Sequence, residues 1–246
     1  MEQFGTAVFW LALGKIILLN IVLSGDNAIV IAMAARSLPA DRQRQAIVYG
    51  SAGAVFFRIV LTVSALTLLA LPYLKMIGAF LLFYIGTMLL AEEEREGQVP
   101  HHGTLAAAIR TILIADLVMS LDNVLGVAAA AKGNVTLLAA GLVISIPLIV
   151  FGSSLILKLM QRVPAIIVLG AALLGYLSGE MLFADIAVQR WLLAHLPSHD
   201  WIVPGTAIEM SLPGMVGAAA VVLCGRWLAT RLRNADVKKA RCRKRA

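Results

Sequence analysis

Charged residues cut this chain into apolar runs of similar length, and the runs predict seven helices. They fall at about 8–35, 46–71, 73–90, 105–131, 135–160, 164–183 and 212–232. Each is near the roughly 20 residues a helix needs to cross a hydrocarbon core about 30 Å thick. The breaks between them are chemically distinct. A polar turn, Arg36 to Arg42, follows the first run, and Pro72 closes the second. Glu92-Glu93-Glu94-Arg95-Glu96 follows the third, and Lys132-Gly133-Asn134 makes a tight turn after the fourth. Pro147 lies inside the fifth run and predicts a kink there. Residues 184–211 form the least hydrophobic long connection, with a short interfacial helix from Asp185 and with Trp191 and Trp201 as interface anchors.

Composition agrees with that pattern. Of 246 residues, 60% are hydrophobic and only 14% charged, at a mean hydropathy of +0.88. Soluble domains average about 25% charged residues, so the chain reads as one polytopic transmembrane domain, 1–246, with no soluble domain. The N-terminus carries Glu2 and no basic cluster, so the first run reads as a retained helix, not a cleaved signal. Cys224 and Cys242 have no partner at metal-site or disulfide spacing.

The net charge of +7 is concentrated from Arg226 onward, where nine Lys/Arg accompany a single acid. Behind a final apolar helix, such a tail marks a cytoplasmic end against anionic lipid; it does not point to nucleic acid. With the N-terminus outside, the inner loops and tail hold sixteen Lys/Arg and the outer ones four. The positive-inside rule therefore puts the basic tail, 233–246, in the cytoplasm.

Polar residues inside the apolar runs carry the candidate chemistry. Ser24-Gly25-Asp26-Asn27 returns 96 positions later as Ser120-Leu121-Asp122-Asn123. Lysine or arginine flanks each copy at 10 to 12 residues, so both aspartates fall near the bilayer midplane, where secondary transporters hold their substrates. A carboxylate there costs about 2.5–3.5 kcal/mol on insertion scales, which makes it a functional group by default. Asp116 stands six residues before Asp122, and Asn20 takes the matching place before Asp26. Six residues turn a regular helix by about 600°, so the members of each pair converge only if the helix breaks or kinks between them. Ser24-Gly25 is a plausible break in the first copy.

The expected metal ligands are Asp26, Asn27, Asp116, Asp122, Asn123 and Asn20, with hydroxyls of Ser24 and Ser120 at hand. All are oxygen donors, which suit Mn²⁺, Mg²⁺ or Ca²⁺ over Zn²⁺ or Cu⁺. Three carboxylates exceed a divalent cation by one charge, a place a proton could fill when the metal leaves. For Ser24 and Ser120, interhelical hydrogen bonding outweighs ligation. Arg58, midway along the second run, stands evenly between counter-ion to these aspartates and snorkelling cation. Glu180 reads as an interface-level residue, the 92–96 acidic run with His101-His102 as solvated surface, and Tyr84 and Tyr176 as packing residues. No nucleophile elbow, phosphate loop or zinc-protease motif is present, so nothing argues for an enzyme or for a resident cofactor.

A second similarity links Gly78-Ala-Phe-Leu-Leu-Phe-Tyr84-Ile-Gly86 to Gly170-Ala-Ala-Leu-Leu-Gly-Tyr176-Leu-Ser178, at an offset of 92. Two units of three spans result, about 8–90 and 105–183, with the helix at 212–232 added. An odd number of spans per unit makes them an inverted repeat.

With Leu-Ser-Gly-Asp-Asn-Ala-Ile-Val-Ile-Ala at 23–32 and Asp-Leu-Val-Met-Ser-Leu-Asp-Asn-Val at 116–124, the chain resembles the TerC family, closest to its short YjbE-type members. The resemblance implies a bacterial inner-membrane protein of the LysE-like transporter superfamily, with members linked to manganese efflux and to supplying Mn²⁺ to exported enzymes. The family places an acid six residues before each Asp-Asn pair; here Asn20 departs from that pattern. The expected function is Mn²⁺ export by alternating access. The alternatives are export of another divalent cation or a small amino acid, and a membrane scaffold or metal-delivery partner for exported enzymes. Expected partners are the metal ion and membrane lipid, with a homodimer left open.

Overall fold

The computed structural model describes residues 7–22, 25–64, 71, 73–96, 103–131, 134–186, 188, 200–202 and 209–243. Among these, eight helices follow in chain order: α1 (Ala7–Val22), α2 (Gly25–Arg36), α3 (Ala40–Val63), α4 (Leu74–Glu96), α5 (Leu105–Ala131), α6 (Val135–Arg162), α7 (Ala165–Phe183) and α8 (Leu212–Arg243). One short hairpin, β1 (Asp200–Ile202) antiparallel to β2 (Glu209–Ser211), precedes α8. Five helices, α3, α4, α6, α7 and α8, are long and apolar enough to cross a membrane, and the α1–α2 pair makes a sixth if taken as one bent span. α5, 27 residues long and holding Asp116 and Asp122, is not among these six.

The element bounds depart from the sequence expectation in instructive places. The first apolar run is two helices, bent by 49° across the Ser24-Gly25 region, and Ser24 lies outside the described residues. α3 stops at Val63, well before Pro72, where the Ser64 N–H turns to the Val60 and Leu61 carbonyls. α8 continues to Arg243, past the expected end at Leu232, because the tail is rich in alanine, lysine and arginine, all strong helix formers. Most of the 184–211 connection, with Trp191, and the His101-His102 pair lie outside the described residues.

The chain forms two compact units interleaved along the sequence, 1–74 with 103–163 and 75–102 with 164–246. In the first, α1 runs beside α6: a Cβ on Gly141 would meet Ile16 at 2.5 Å, and Asn20 bonds Ser145 one turn further along both helices. α3 runs beside α5 in the same manner. A Cβ on Gly50 would meet Ile112 at 2.8 Å, and one on Gly53 would meet Leu113 at 2.8 Å. Both pairs are therefore parallel, and glycine supplies the close approach in each. Leu13, Ile16, Val127, Ala131, Leu138 and Leu142 share one apolar cluster, so α5 runs opposite to α1 and α6.

In the second unit, α7 and α8 meet backbone to backbone. A Cβ on Gly175 would lie 2.5 Å from the Gly217 carbonyl oxygen, which only glycine permits. α4 packs on this pair through Gly86, whose added Cβ would lie 3.1 Å from both Leu174 and Val221. Ser178 donates to the Ala79 carbonyl at 2.7 Å, and Asp185 accepts the Met76 N–H at 3.2 Å near the start of α4. Tyr176 packs its ring on Gly214, as expected. Tyr84, by contrast, is 60% exposed: its helix turns it away from the packed face.

Candidate cation site

The two copies of the motif differ in local structure. In the first, α1 ends at Val22 and α2 begins at Gly25, so Asp26 stands in the first turn of α2. A carboxylate is favoured there by the helix dipole. Its Oδ1 accepts the Asn27 N–H at 2.8 Å. Asn27 is 2% exposed, and among the described residues neither its side-chain oxygen nor its nitrogen has a hydrogen-bond partner. A buried amide in that state costs about 1–3 kcal/mol, and its oxygen is of the kind a hard cation takes.

In the second copy α5 runs unbroken through Asp116 and Asp122. Leu121, buried at 7% exposure, stands where the first copy has Gly25, so nothing weakens the helix at that point. The break that would bring Asp116 and Asp122 to one face is therefore missing from this copy. The Asp122 side chain lies outside the described residues; Asn123 is half-buried and engaged in an interaction.

Arg58 organises what is described. It is 3% exposed on α3, and its guanidinium is held by side chains of two further helices, α1 and α5. Nη2 donates to Asp116 Oδ1 at 2.5 Å, Nη1 to Asn20 Oδ1 at 2.5 Å, and Nε to Ser120 Oγ at 3.0 Å. Ser120 Oγ in turn donates to Asp116 Oδ2 at 3.3 Å, and Asn20 donates its Nδ2 to Ser145 on α6. The network ends on the backbone of α6, where Ser145 Oγ donates to the Leu142 carbonyl at 2.6 Å. Asp26 lies close enough to feel the charges of Arg58 and Asp116.

Among the expected ligands the structure thus brings Asn20 and Asp116 together, with Ser120, and sets Asp26 and Asn27 nearby. Among the described residues no three of His, Cys, Asp and Glu form a ready metal cluster. Of the two readings of Arg58, the structure selects the counter-ion. Ser145 is the member that sequence reasoning missed. Its signal was a serine two residues before the intramembrane Pro147, at a depth matching Asn20. The donor set suits a hard cation: carboxylate, carboxamide and hydroxyl oxygens, already gathered around one positive charge.

The sequence pattern of the integral membrane protein TerC family matches residues 5–233, which include every residue of this network. The chain belongs to the TerC family. It is 41% identical over 187 residues to the uncharacterized membrane protein YjbE of Bacillus subtilis, covering 76% of this chain and 86% of that one. It is 28% identical to the uncharacterized membrane protein YceF of the same organism, over 73% and 74% of the two chains. To the inner membrane protein YgdQ of Escherichia coli it is 26% identical, over 67% and 77%. No solved structure matches the chain. As a TerC-family protein with several apolar helices, it is an integral, multi-pass membrane protein.

Proposed function

We propose that this chain exports a divalent cation, Mn²⁺ in first place, across a bacterial inner membrane by alternating access. The observation that carries the reading is the Arg58 cage: Asn20, Asp116 and Ser120 already bind a cation at depth, using oxygen alone. The Asn27 amide beside Asp26, without a hydrogen-bond partner among the described residues, adds one more oxygen donor. Asp26, Asn27, Asp116, Asp122, Asn123 and Asn20 hold the ion. Three carboxylates and one guanidinium sum to two negative charges, which one divalent ion balances.

The architecture we propose is seven spans with the N-terminus outside and the tail cytoplasmic, built from two inverted three-span repeats and a last helix. Supporting this, α5 runs opposite to α1, and the Gly50–Ile112 contact recurs as Gly141–Ile16 with the roles exchanged between repeats. The printed name of YgdQ as an inner membrane protein supports the location.

The test is cellular. In a bacterium lacking its own manganese exporters, the wild type should lower cellular Mn under Mn²⁺ challenge and Asp122→Asn should not. If both leave every divalent metal unchanged, though present in the membrane, the export reading is wrong and a scaffold or delivery role takes its place.

A further inference from the structure

Arg58 sits where the fold does not require an arginine. The recurring glycine contacts set the register between the two halves: Ile16 answers to Ile112, and Gly50 to Gly141. Carried along the helices, that register sets Arg58 of α3 against Ile149 of α6, eight residues beyond each glycine. Ile149 is buried at 9% exposure and simply packs. The same position in the same kind of helix pair is thus filled once by an apolar side chain and once by a buried charge. Taking a guanidinium out of water is costly, and replacing buried ion pairs by apolar groups is often neutral or stabilising. Packing alone therefore does not account for Arg58.

Its partners say what the charge is for. All three are oxygen groups of the kind a hard divalent ion takes: a carboxylate, a carboxamide oxygen and a hydroxyl. Asp116 and Asn20 are the two residues that stand six positions before the Asp-Asn pairs. Arginine keeps its charge under all conditions and forks to several acceptors at once, so it neutralises this cluster without a proton or a bound ion.

Resting on the cation-export reading above, we infer that Arg58 is a tethered competitor of the transported ion. Its guanidinium fills the Asn20–Asp116–Ser120 oxygen cage when the ion is absent and must swing out for the ion to gain Asp116 and Asn20 as ligands. The arginine then sets affinity. It keeps binding weak enough for release, as a carrier requires, and it keeps a bare carboxylate from standing unpaired inside the protein.

The experiment is direct Mn²⁺ binding to the purified full chain in detergent, read by the electron paramagnetic resonance of free Mn²⁺. Arg58→Met removes the charge and keeps much of the bulk. It should bind Mn²⁺ about tenfold or more tightly than wild type, and added Mn²⁺ should raise its unfolding temperature further than it raises the wild type's. Arg58→Lys keeps a charge but offers a compact ammonium that cannot fork to three acceptors, so its affinity should fall between the two. If Arg58→Met does not fold, Arg58→Lys decides alone: an affinity above wild type supports the inference, and an equal or weaker one overturns it. If folded Arg58→Met binds Mn²⁺ no more tightly than a wild type that does bind it, the inference fails while the export reading stands. If neither protein binds Mn²⁺, Mg²⁺ or Ca²⁺, both fail together.

Discussion

The two copies of the Asp-Asn motif share their letters and differ in nearly everything physical around them. The first sits at a helix start after a 49° bend, with a glycine at the hinge and a neutral Asn20 six residues upstream of Asp26. The second sits on an unbroken helix, with a buried leucine in the glycine's place and a charged Asp116 upstream. The helix facing the first copy's Asn20 brings Ser145, whereas the helix facing Asp116 brings Arg58. The first copy carries an amide with no hydrogen-bond partner among the described residues; the second carries an ion pair. The copies thus differ in backbone, one bent and one straight, and in which of them supplies the carboxylate that Arg58 holds.

The largest effect should come from breaking the charged half. Asp116→Leu takes from buried Arg58 the carboxylate at 2.5 Å and should destabilise the chain by about 3–5 kcal/mol, read as thermal unfolding in detergent. The double variant Arg58→Met with Asp116→Leu should recover most of that loss, since both members of this pair are then gone. The neutral half should respond less. Asn20→Ala removes the acceptor of one guanidinium nitrogen, while Ser145 keeps its bond to Leu142, and should cost about 1–3 kcal/mol in the same assay.

Next in size are the glycines that set the two halves alike. Gly50→Ala and Gly141→Ala each push a methyl into an isoleucine, at 2.8 Å and 2.5 Å, and should cost similar amounts of about 1–3 kcal/mol. A large disparity between them would break the claim that the halves are built alike. The smallest effect on stability should come from Gly25→Ala. Nothing lies within 4 Å of a Cβ there, so the change should stay under about 1 kcal/mol while favouring a continuous helix through the hinge. Cellular Mn²⁺ tolerance should nevertheless fall, since the bend is what distinguishes this half.

Much of this was legible beforehand. The helix from Leu105 to Ala131 matches its apolar run to the residue, because Gly103-Thr104 and Lys132-Gly133 bound it sharply. The hinge at Ser24-Gly25 was legible from glycine's weak helix propensity. The Arg58 cage was not: composition marks a buried arginine as unusual, but which oxygens meet it depends on how α1, α3, α5 and α6 pack. Ser145 was hidden for the same reason, since serine in a membrane helix usually bonds its own backbone, as Ser154 does to Val150. The length of α8 was underestimated because hydropathy ends where helix propensity does not.

Flux itself is the most direct test of the central claim. The purified chain would be placed in lipid vesicles loaded with a dye that Mn²⁺ quenches, and external Mn²⁺ added. The account predicts quenching by the wild type well above that of protein-free vesicles, and loss of that difference in both Asp26→Asn and Asp122→Asn. Binding of Mn²⁺ without any flux, or flux that survives removal of both aspartates, would contradict it.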